Sequence, residues 1–381
     1  MADPADPAEA AGPGGLRAEV RAFLRTCRAD GVFEPVCDSW LRGHSPRFSR
    51  MLGERGWLGM TWPKAYGGHE RTAAERFVVI EELLAAGAPV AAHWIADRQT
   101  GPLLLRYGTE EQRRTVLPGI ARGEVYCAIG MSEPDSGSDL ASIRTRAEPD
   151  GEGGWRVTGR KIWTSHAHRS HYAVTLVRTE PRGEDRHAGL SQFLVDLSAP
   201  GVTVRPIRIL TGEEHFTEVV LDDVHVPGTM VVGTAGQGWT QVMAELAYER
   251  SGPERFLSTY PLLARHADAS ATLPEAARAD LGDLTARLWA LRTMSVGVTD
   301  LLQRGESPNT RAALIKDMGT ELERESIETV RRAWTHPSAP PFPDGLDDLL
   351  AETQLAAPAF TLRGGTNEIL RGVVARSLGV R

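Results

Sequence analysis

The chain of 381 residues is too long for one ordinary core and long enough for two or three domains that share interfaces. Its composition, 41% hydrophobic and 24% charged, is that of a globular protein and not of a disordered or fibrous one. The net charge of -7 comes from 43 basic and 50 acidic residues scattered along the chain, so no basic block is available to track a phosphate backbone and no nucleic-acid partner is expected.

Residues 1–15, MADPADPAEAAGPGG, have no positively charged start followed by an apolar run and read as a frayed tail, neither signal peptide nor anchor. From 16 to 122 the pattern is helical: Leu16, Val20, Phe23 and Leu24 recur at three- and four-residue spacing, and Ala73 to Ala86 is a second amphipathic run. Tyr66-Gly67-Gly68 marks a turn between them. Over 123–232 β-branched and aromatic residues alternate with polar ones, as in Trp155-Arg156-Val157-Thr158 and Val202-Thr203-Val204-Arg205, which predicts an antiparallel β domain. From 233 to 381 the helical period returns, with Gly233–Gly238 as a flexible connector and the Pro-rich stretch His336–Asp344 as its clearest loop. The expected class is α+β, with helices, then sheet, then helices.

Cys27, Cys37 and Cys127 form no CxxC pair and no even-numbered framework, so a reducing cytoplasm is the expected compartment. No run of about 18 apolar residues occurs, and no membrane span is expected. His166, His168 and His171 are closely spaced but lack the Cys or acidic partners of a metal site and read as loop residues.

Four segments, in order, resemble the acyl-CoA dehydrogenase family. They are Arg55-Gly-Trp-Leu-Gly-Met-Thr-Trp-Pro-Lys-Ala-Tyr-Gly-Gly68 with Glu81-Glu82-Leu83 after it, Ser132-Glu-Pro-Asp-Ser-Gly-Ser-Asp139, Gly159-Arg-Lys-Ile-Trp-Thr-Ser165, and Gly364-Gly-Thr-Asn-Glu-Ile-Leu-Arg371. The resemblance implies an α-helical N-terminal domain, a middle antiparallel β-barrel and a C-terminal four-helix bundle. It also implies FAD bound noncovalently between the β domain and the bundle, an acyl-CoA or acyl-carrier thioester as substrate, an electron-transfer flavoprotein as electron acceptor, and a role in lipid metabolism.

Removing a proton α to a carbonyl needs a positioned carboxylate and donors aimed at the developing enolate oxygen. Many family members carry the base immediately before the Gly-Thr of the C-terminal motif, where this chain has Gly364; a subset carries it on the helix after the β domain, where this chain has Tyr248-Glu249-Arg250. Glu249 is the expected base. Val242, Leu246 and Glu249 fall four and three apart, which would set the carboxylate on an apolar face and raise its pKa; the bland alternative is a surface Glu249 paired with an arginine. The amides of Gly364 and Gly365, where a glycine-rich turn meets a helix, can offer N–H groups to a polarised oxygen, a tight turn or helix cap being the alternative; the resemblance implies that one of them binds the thioester oxygen. Trp163 and Ser165, two apart on a predicted strand, are expected to face the same side, core packing being the usual fate of such a Trp; the resemblance implies that both face the flavin. By the same resemblance Met131, Ser132, Gly137 and Ser138 line the flavin and pantetheine (Ser138 also the substrate), Thr366 and Glu368 contact the cofactor, and Arg250 lies near the acyl-CoA.

Two family segments through which a neighbouring subunit grips FAD, Arg-x-x-Phe-Gly and Gln-x-x-Gly-Gly-x-Gly, have no counterpart at Ala264–Leu273 or Trp334–Pro341, and Arg371-Gly372 replaces the usual Arg-Asn. An oligomer is expected, either of identical chains or with a second, dehydrogenase-like subunit. Two other readings stand beside the enzyme: a non-catalytic partner subunit, and a flavin oxidase or monooxygenase on the same fold.

Overall fold

The computed structural model describes residues 13–380 except 251, 305 and 307, and at 13 and 246–249 it describes the backbone alone. Helix α1 (Pro13–Ala29) places Leu16, Val20, Phe23, Leu24 and Cys27 in the core, the stripe its spacing predicts. After the short α2 (Ser39–Arg42) and α3 (Pro46–Glu54), α4 (Ala73–Ala85) starts at a capping box: the Glu75 amide donates to Thr72 Oγ1 at 3.1 Å and the Thr72 amide to Glu75 Oε2 at 2.8 Å. Helices α5 (Ala91–Ile95), α6 (Gly101–Tyr107) and α7 (Glu110–Ala121) follow, α7 with the same device between Thr109 and Gln112.

Seven strands come next: β1 (Cys127–Gly130), β2 (Arg146–Pro149), β3 (Gly154–Ser165), β4 (Tyr172–Arg178), β5 (Leu190–Asp196), β6 (Val202–Ile207) and β7 (Phe216–Pro227). They form one sheet in the order β1-β4-β2-β3-β7-β6, with β5 also on β4. The long β3–β7 pair and the β4–β5 and β6–β7 pairs are antiparallel, as expected, but β1 runs parallel to β4, with Cys127 opposite Tyr172. Strand β4 is buried on both faces, which is why Ala173-Val174-Thr175-Leu176-Val177 reads as a run and not as an alternation. Ala173 and Val177 pack with Val157, Phe193 and Leu221, whereas Val174 packs with Trp62, Leu104, Leu117 and Ile120 of the preceding helices.

Helices α8 (Gly238–Glu249), α9 (Tyr260–Ala269), α10 (Glu275–Gln303), α11 (Asn309–Thr335), α12 (Leu346–Ala356) and α13 (Asn367–Ser377) complete the chain, and 336–345 is the loop its prolines predict. Helices α9, α11 and α12 share a core of Leu262, Ile327, Val330, Trp334, Leu346, Leu349 and Leu350. No helix among the described residues is long and apolar enough to cross a membrane.

The chain falls into two compact units that do not follow the sequence boundaries. One, the sheet unit, comprises Ser45–Glu70 and Ala91–Glu249; the other, the helical unit, comprises the described parts of Met1–His44, Arg71–Val90 and Arg250–Arg381. Helix α8 packs with the sheet: Val242 is fully buried with Ile143, Leu176 and Leu190, and Gln241 Nε2 donates to the Val232 carbonyl at 2.7 Å.

Within the helical unit a cavity of about 800 Å³ lies among α1, α4, α9 and α10. On its wall Glu81 and Glu82, both buried, hold three arginines: Glu81 meets Arg17 at 2.6 Å and Arg292 at 2.5 Å, and Glu82 meets Arg21 at 2.7 Å and Arg17 again. This network ties α1 and α10 to α4. Glu81→Gln leaves two guanidinium groups short of an acceptor, and because Arg17 and Arg292 are 25% and 34% exposed, water screens part of the loss. A destabilisation of about 1–3 kcal/mol is expected in urea unfolding; an unchanged midpoint would contradict the anchoring role.

Candidate active site

In the sheet unit, the segment carrying Met131 and Ser132 is fastened to β3 by a buried ion pair. Lys161, 1% exposed, donates through Nζ to Glu133 Oε1 at 2.8 Å and to the Met131 carbonyl at 3.1 Å. Glu133 accepts in addition from the amides of Arg144 (2.7 Å) and Thr145 (2.9 Å). The Ile162 amide donates to the Ser132 carbonyl at 2.9 Å. Met131 and Ser132 are thereby brought beside the strand that carries Trp163. Burial pushes the Lys161 ammonium down to about 8, while for Glu133 the Lys161 charge and the surrounding donors outweigh burial and hold it below the usual carboxylate range, so both are charged at neutral pH.

Gly137 and Ser138 lie on the same loop and are exposed. Trp163 corrects the simple strand picture. Its φ is 60°, the β3–β7 register shifts between Lys161 and Thr164, and both of those residues are buried although three apart. The alternation is interrupted at this bulge, which leaves the Trp163 indole 55% exposed, edge-on to Phe216 at 5.9 Å. Ser165, half-buried, pairs with Phe216 at the end of β3. His171 Nδ1 accepts the Tyr126 amide, His166 and His168 lie near each other, and no cluster of three potential metal ligands occurs among the described residues.

In the helical unit, Gly364 and Gly365 have φ of 68° and 91°, conformations that a side chain strains, and they lead directly into α13. Thr366 caps that helix, its Oγ1 accepting the Ile369 amide at 3.4 Å. The own amide of Glu368 and the Thr366 hydroxyl hold the Glu368 carboxylate below its usual range. Asn367 Oδ1 takes the fully buried Lys316 ammonium at 2.8 Å and Thr320 Oγ1 at 3.2 Å, pinning the start of α13 to α11. Arg250 is buried and donates through Nε to the Gly364 carbonyl at 3.0 Å. The structure thus brings together Arg250, Gly364, Gly365, Thr366 and Glu368.

The carboxylate of Glu249 lies outside the described residues; its backbone ends α8. One turn earlier, Glu245 is buried and accepts from Gln192 Nε2 at 2.7 Å, an acid that the spacing of Val242, Leu246 and Glu249 does not flag. Glu133 and Lys161 were also missed as a pair, although both sit inside the quoted segments, because 28 residues separate them in the chain. None of the expected site residues lines the large cavity.

Beneath the glycine turn, Arg363 forms a forked pair with Asp38 (2.5 and 2.6 Å) and lies 4.0 Å from Glu323, which is fully buried and accepts the Ser258 amide at 2.8 Å. That long approach leaves burial dominant and pushes the Glu323 carboxyl up to about 7. The folded chain then retains a proton that the unfolded chain releases near 4.5, so the contribution of Glu323 to stability falls as pH rises from 4.5 to about 7. Glu323→Gln is expected to gain on the wild type in melting temperature between about pH 5 and about pH 8; a constant difference would contradict this. Lys161→Met, which leaves a buried Glu133 carboxylate without its cation, is expected to cost about 3–5 kcal/mol in chemical unfolding, and a loss under about 1 kcal/mol would show that the pair does not hold the loop.

A family model described as acyl-CoA dehydrogenase, N-terminal domain, matches residues 15–124, and one described as acyl-CoA dehydrogenase, middle domain, matches residues 128–224. The acyl-CoA dehydrogenase IpdE1 of Mycobacterium tuberculosis is 36% identical over 346 residues, 87% of either chain. Among solved structures, the Tcur3481-Tcur3483 steroid ACAD superposes with a TM-score of 0.83 at 31% identity over 97% of each chain. The ChsE4-ChsE5 complex from Mycobacterium tuberculosis does so with a TM-score of 0.80 at 29% identity over 100% of each. With the helix–sheet–helix order, both domain matches and a relative aligned over most of its length, the chain belongs to the acyl-CoA dehydrogenase family.

Proposed function

We propose that the chain binds FAD and dehydrogenates an acyl-CoA or acyl-carrier thioester between the carbons α and β to the carbonyl, with Glu249 taking the α proton. Bound flavin supplies the acceptor for the β hydride, chemistry that no side chain of the protein can provide. The residues present suit such a group: an indole left exposed by a bulge offers a flat apolar surface on the strand to which a buried ion pair fastens the loop of Met131 and Ser132. Met131, Gly137, Ser138 and Ser165 are assigned to the same side of the cofactor, and Thr366 and Glu368 to its contacts from α13.

The observation that carries the reading is the bond from Arg250 Nε to the Gly364 carbonyl. It sets Arg250, the residue that follows the assigned base in sequence, directly against the glycine turn. The turn precedes a helix N-terminus, where the peptide dipoles favour developing negative charge. Amides of Gly364 or Gly365 there bind the thioester oxygen and stabilise it more as it becomes an enolate, the condition for catalysis.

Electrons leave to an electron-transfer flavoprotein, and the expected location is cytoplasmic. A heteromer with a second acyl-CoA dehydrogenase-like chain is favoured over an assembly of identical chains, because the segments that grip a neighbour's FAD have no counterpart here and one of the structural relatives is the ChsE4-ChsE5 complex. The same observation favours, as a second reading, a chain that completes another subunit's site without catalysing.

The chain, expressed alone and with candidate partner chains, is to be titrated anaerobically with a panel of acyl-CoA thioesters while flavin absorbance is followed. Bleaching is expected in the wild type and in Glu245→Gln, whereas Glu249→Gln retains flavin and slows bleaching by at least about a thousandfold, roughly 4 kcal/mol of transition-state stabilisation. Undiminished bleaching in Glu249→Gln removes the assigned base, and flavin that no thioester bleaches in any wild-type assembly points to the non-catalytic reading.

A further inference from the structure

We infer that Arg255 is a positioning residue for the glycine turn, presenting a buried positive charge and a flat face on which Gly364 is seated. The inference rests on the proposed role of that turn in binding the thioester oxygen. A Cβ on Gly364 would lie 3.0 Å from Arg255 Nη2 and 3.2 Å from both Cζ and Nη1, so three atoms of the guanidinium stand almost equally close to the space a side chain would need. A Cβ on Gly365 would meet Arg250 Nη2 at 3.0 Å. Two cationic groups therefore stand beside consecutive left-handed glycines, where a side chain would be strained in φ and would press each guanidinium back by a few tenths of an ångström.

Arg255 is 1% exposed and is held from two sides. Its guanidinium lies over the Trp40 ring at 5.2 Å from the centroid, and Arg363 lies over the same ring at 4.4 Å. Trp40 is itself oriented, Nε1 donating to Ser258 Oγ at 3.2 Å, the oxygen that also accepts from Arg363 Nη2 at 3.0 Å. On the backbone side, a Cβ at Gly319 of α11 would come within 2.2 Å of the Arg255 carbonyl oxygen, so α11 packs directly against the residue. A cation so fixed cannot swing away from the turn as an exposed arginine can. In a site with little water, its charge lowers the energy of an anion forming at the neighbouring amides more than that of the neutral carbonyl.

A probe whose bound form is itself an enolate separates this role from a merely structural one. Acetoacetyl-CoA has an acidic carbon α to the thioester and its enolate absorbs in the near ultraviolet, so the pH at which it ionises when bound to the flavin-loaded complex reports the charge environment without turnover. Arg255→Met is expected to weaken the acidity of the bound probe at least about tenfold relative to the wild type, and Arg255→Lys, which keeps the charge, less than about threefold. Where Arg255→Met does not fold, Trp40→Leu, which removes the ring that fixes the guanidinium, should shift ionisation in the same direction. Ionisation within about twofold of wild type in the folded Arg255→Met protein, or in Trp40→Leu where the former is insoluble, overturns the inference. Failure of the wild-type complex to stabilise the bound enolate at all, together with failure to bleach with any acyl-CoA, overturns the functional reading on which it rests, and the inference with it.

Discussion

A guanidinium group removed from water must be matched by carboxylates, carbonyls or aromatic faces, and much of the helical unit is arranged to supply them. Arg250 has the Gly364 carbonyl, Arg255 the Trp40 ring, and Arg363 the forked carboxylate of Asp38 together with the rings of Trp40 and Phe360. These matches converge on one left-handed turn. Side chains at 364 and 365 would be strained in φ and would push both cations back by a few tenths of an ångström. The turn and its arginines therefore specify each other, and the start of α13 is secured separately through Asn367 and Lys316.

The sheet unit meets a comparable demand with one ion pair. Lys161 and Glu133 are both out of solvent, and their pairing is favourable because Glu133 also receives two backbone amides. The consequence is a loop held at a definite place beside β3, next to a strand bulge that turns the Trp163 indole outward. Strain at Trp163 and burial of charge at Lys161 are each unfavourable taken singly. They occur within three residues, where a rigid, flat and accessible ring is the result.

Much of the fold was legible from periodicity. The apolar stripe of α1, the strand alternation and the Pro-rich loop each rest on local rules that the structure obeys. What escaped depends on partners distant in the chain. The parallel pairing of β1 with β4 leaves no signature in either strand, and α8 reads as the first of the C-terminal helices although Val242 buries against Ile143, Leu176 and Leu190. The bulge between Lys161 and Thr164, with a non-glycine residue at positive φ, is a local feature that composition does not reveal. Within the site, the glycine turn was legible as a turn and Arg250 was expected near the acyl-CoA, but Arg255 was not foreseen, since it lies more than a hundred residues from Gly364 and belongs to none of the four recognised segments. Glu81 and Glu82 were noticed only as part of a segment, whereas they anchor three arginines.

The central claim concerns where one oxygen and one carboxylate meet the substrate. A crystal structure of the flavin-loaded assembly with an unreactive thioester bound tests it most directly. The account predicts the thioester oxygen about 3 Å from an amide of Gly364 or Gly365, and a Glu249 carboxylate oxygen within about 3–3.5 Å of the α carbon. A thioester oxygen bound elsewhere, or a different acid such as Glu245 facing the α carbon, would contradict it.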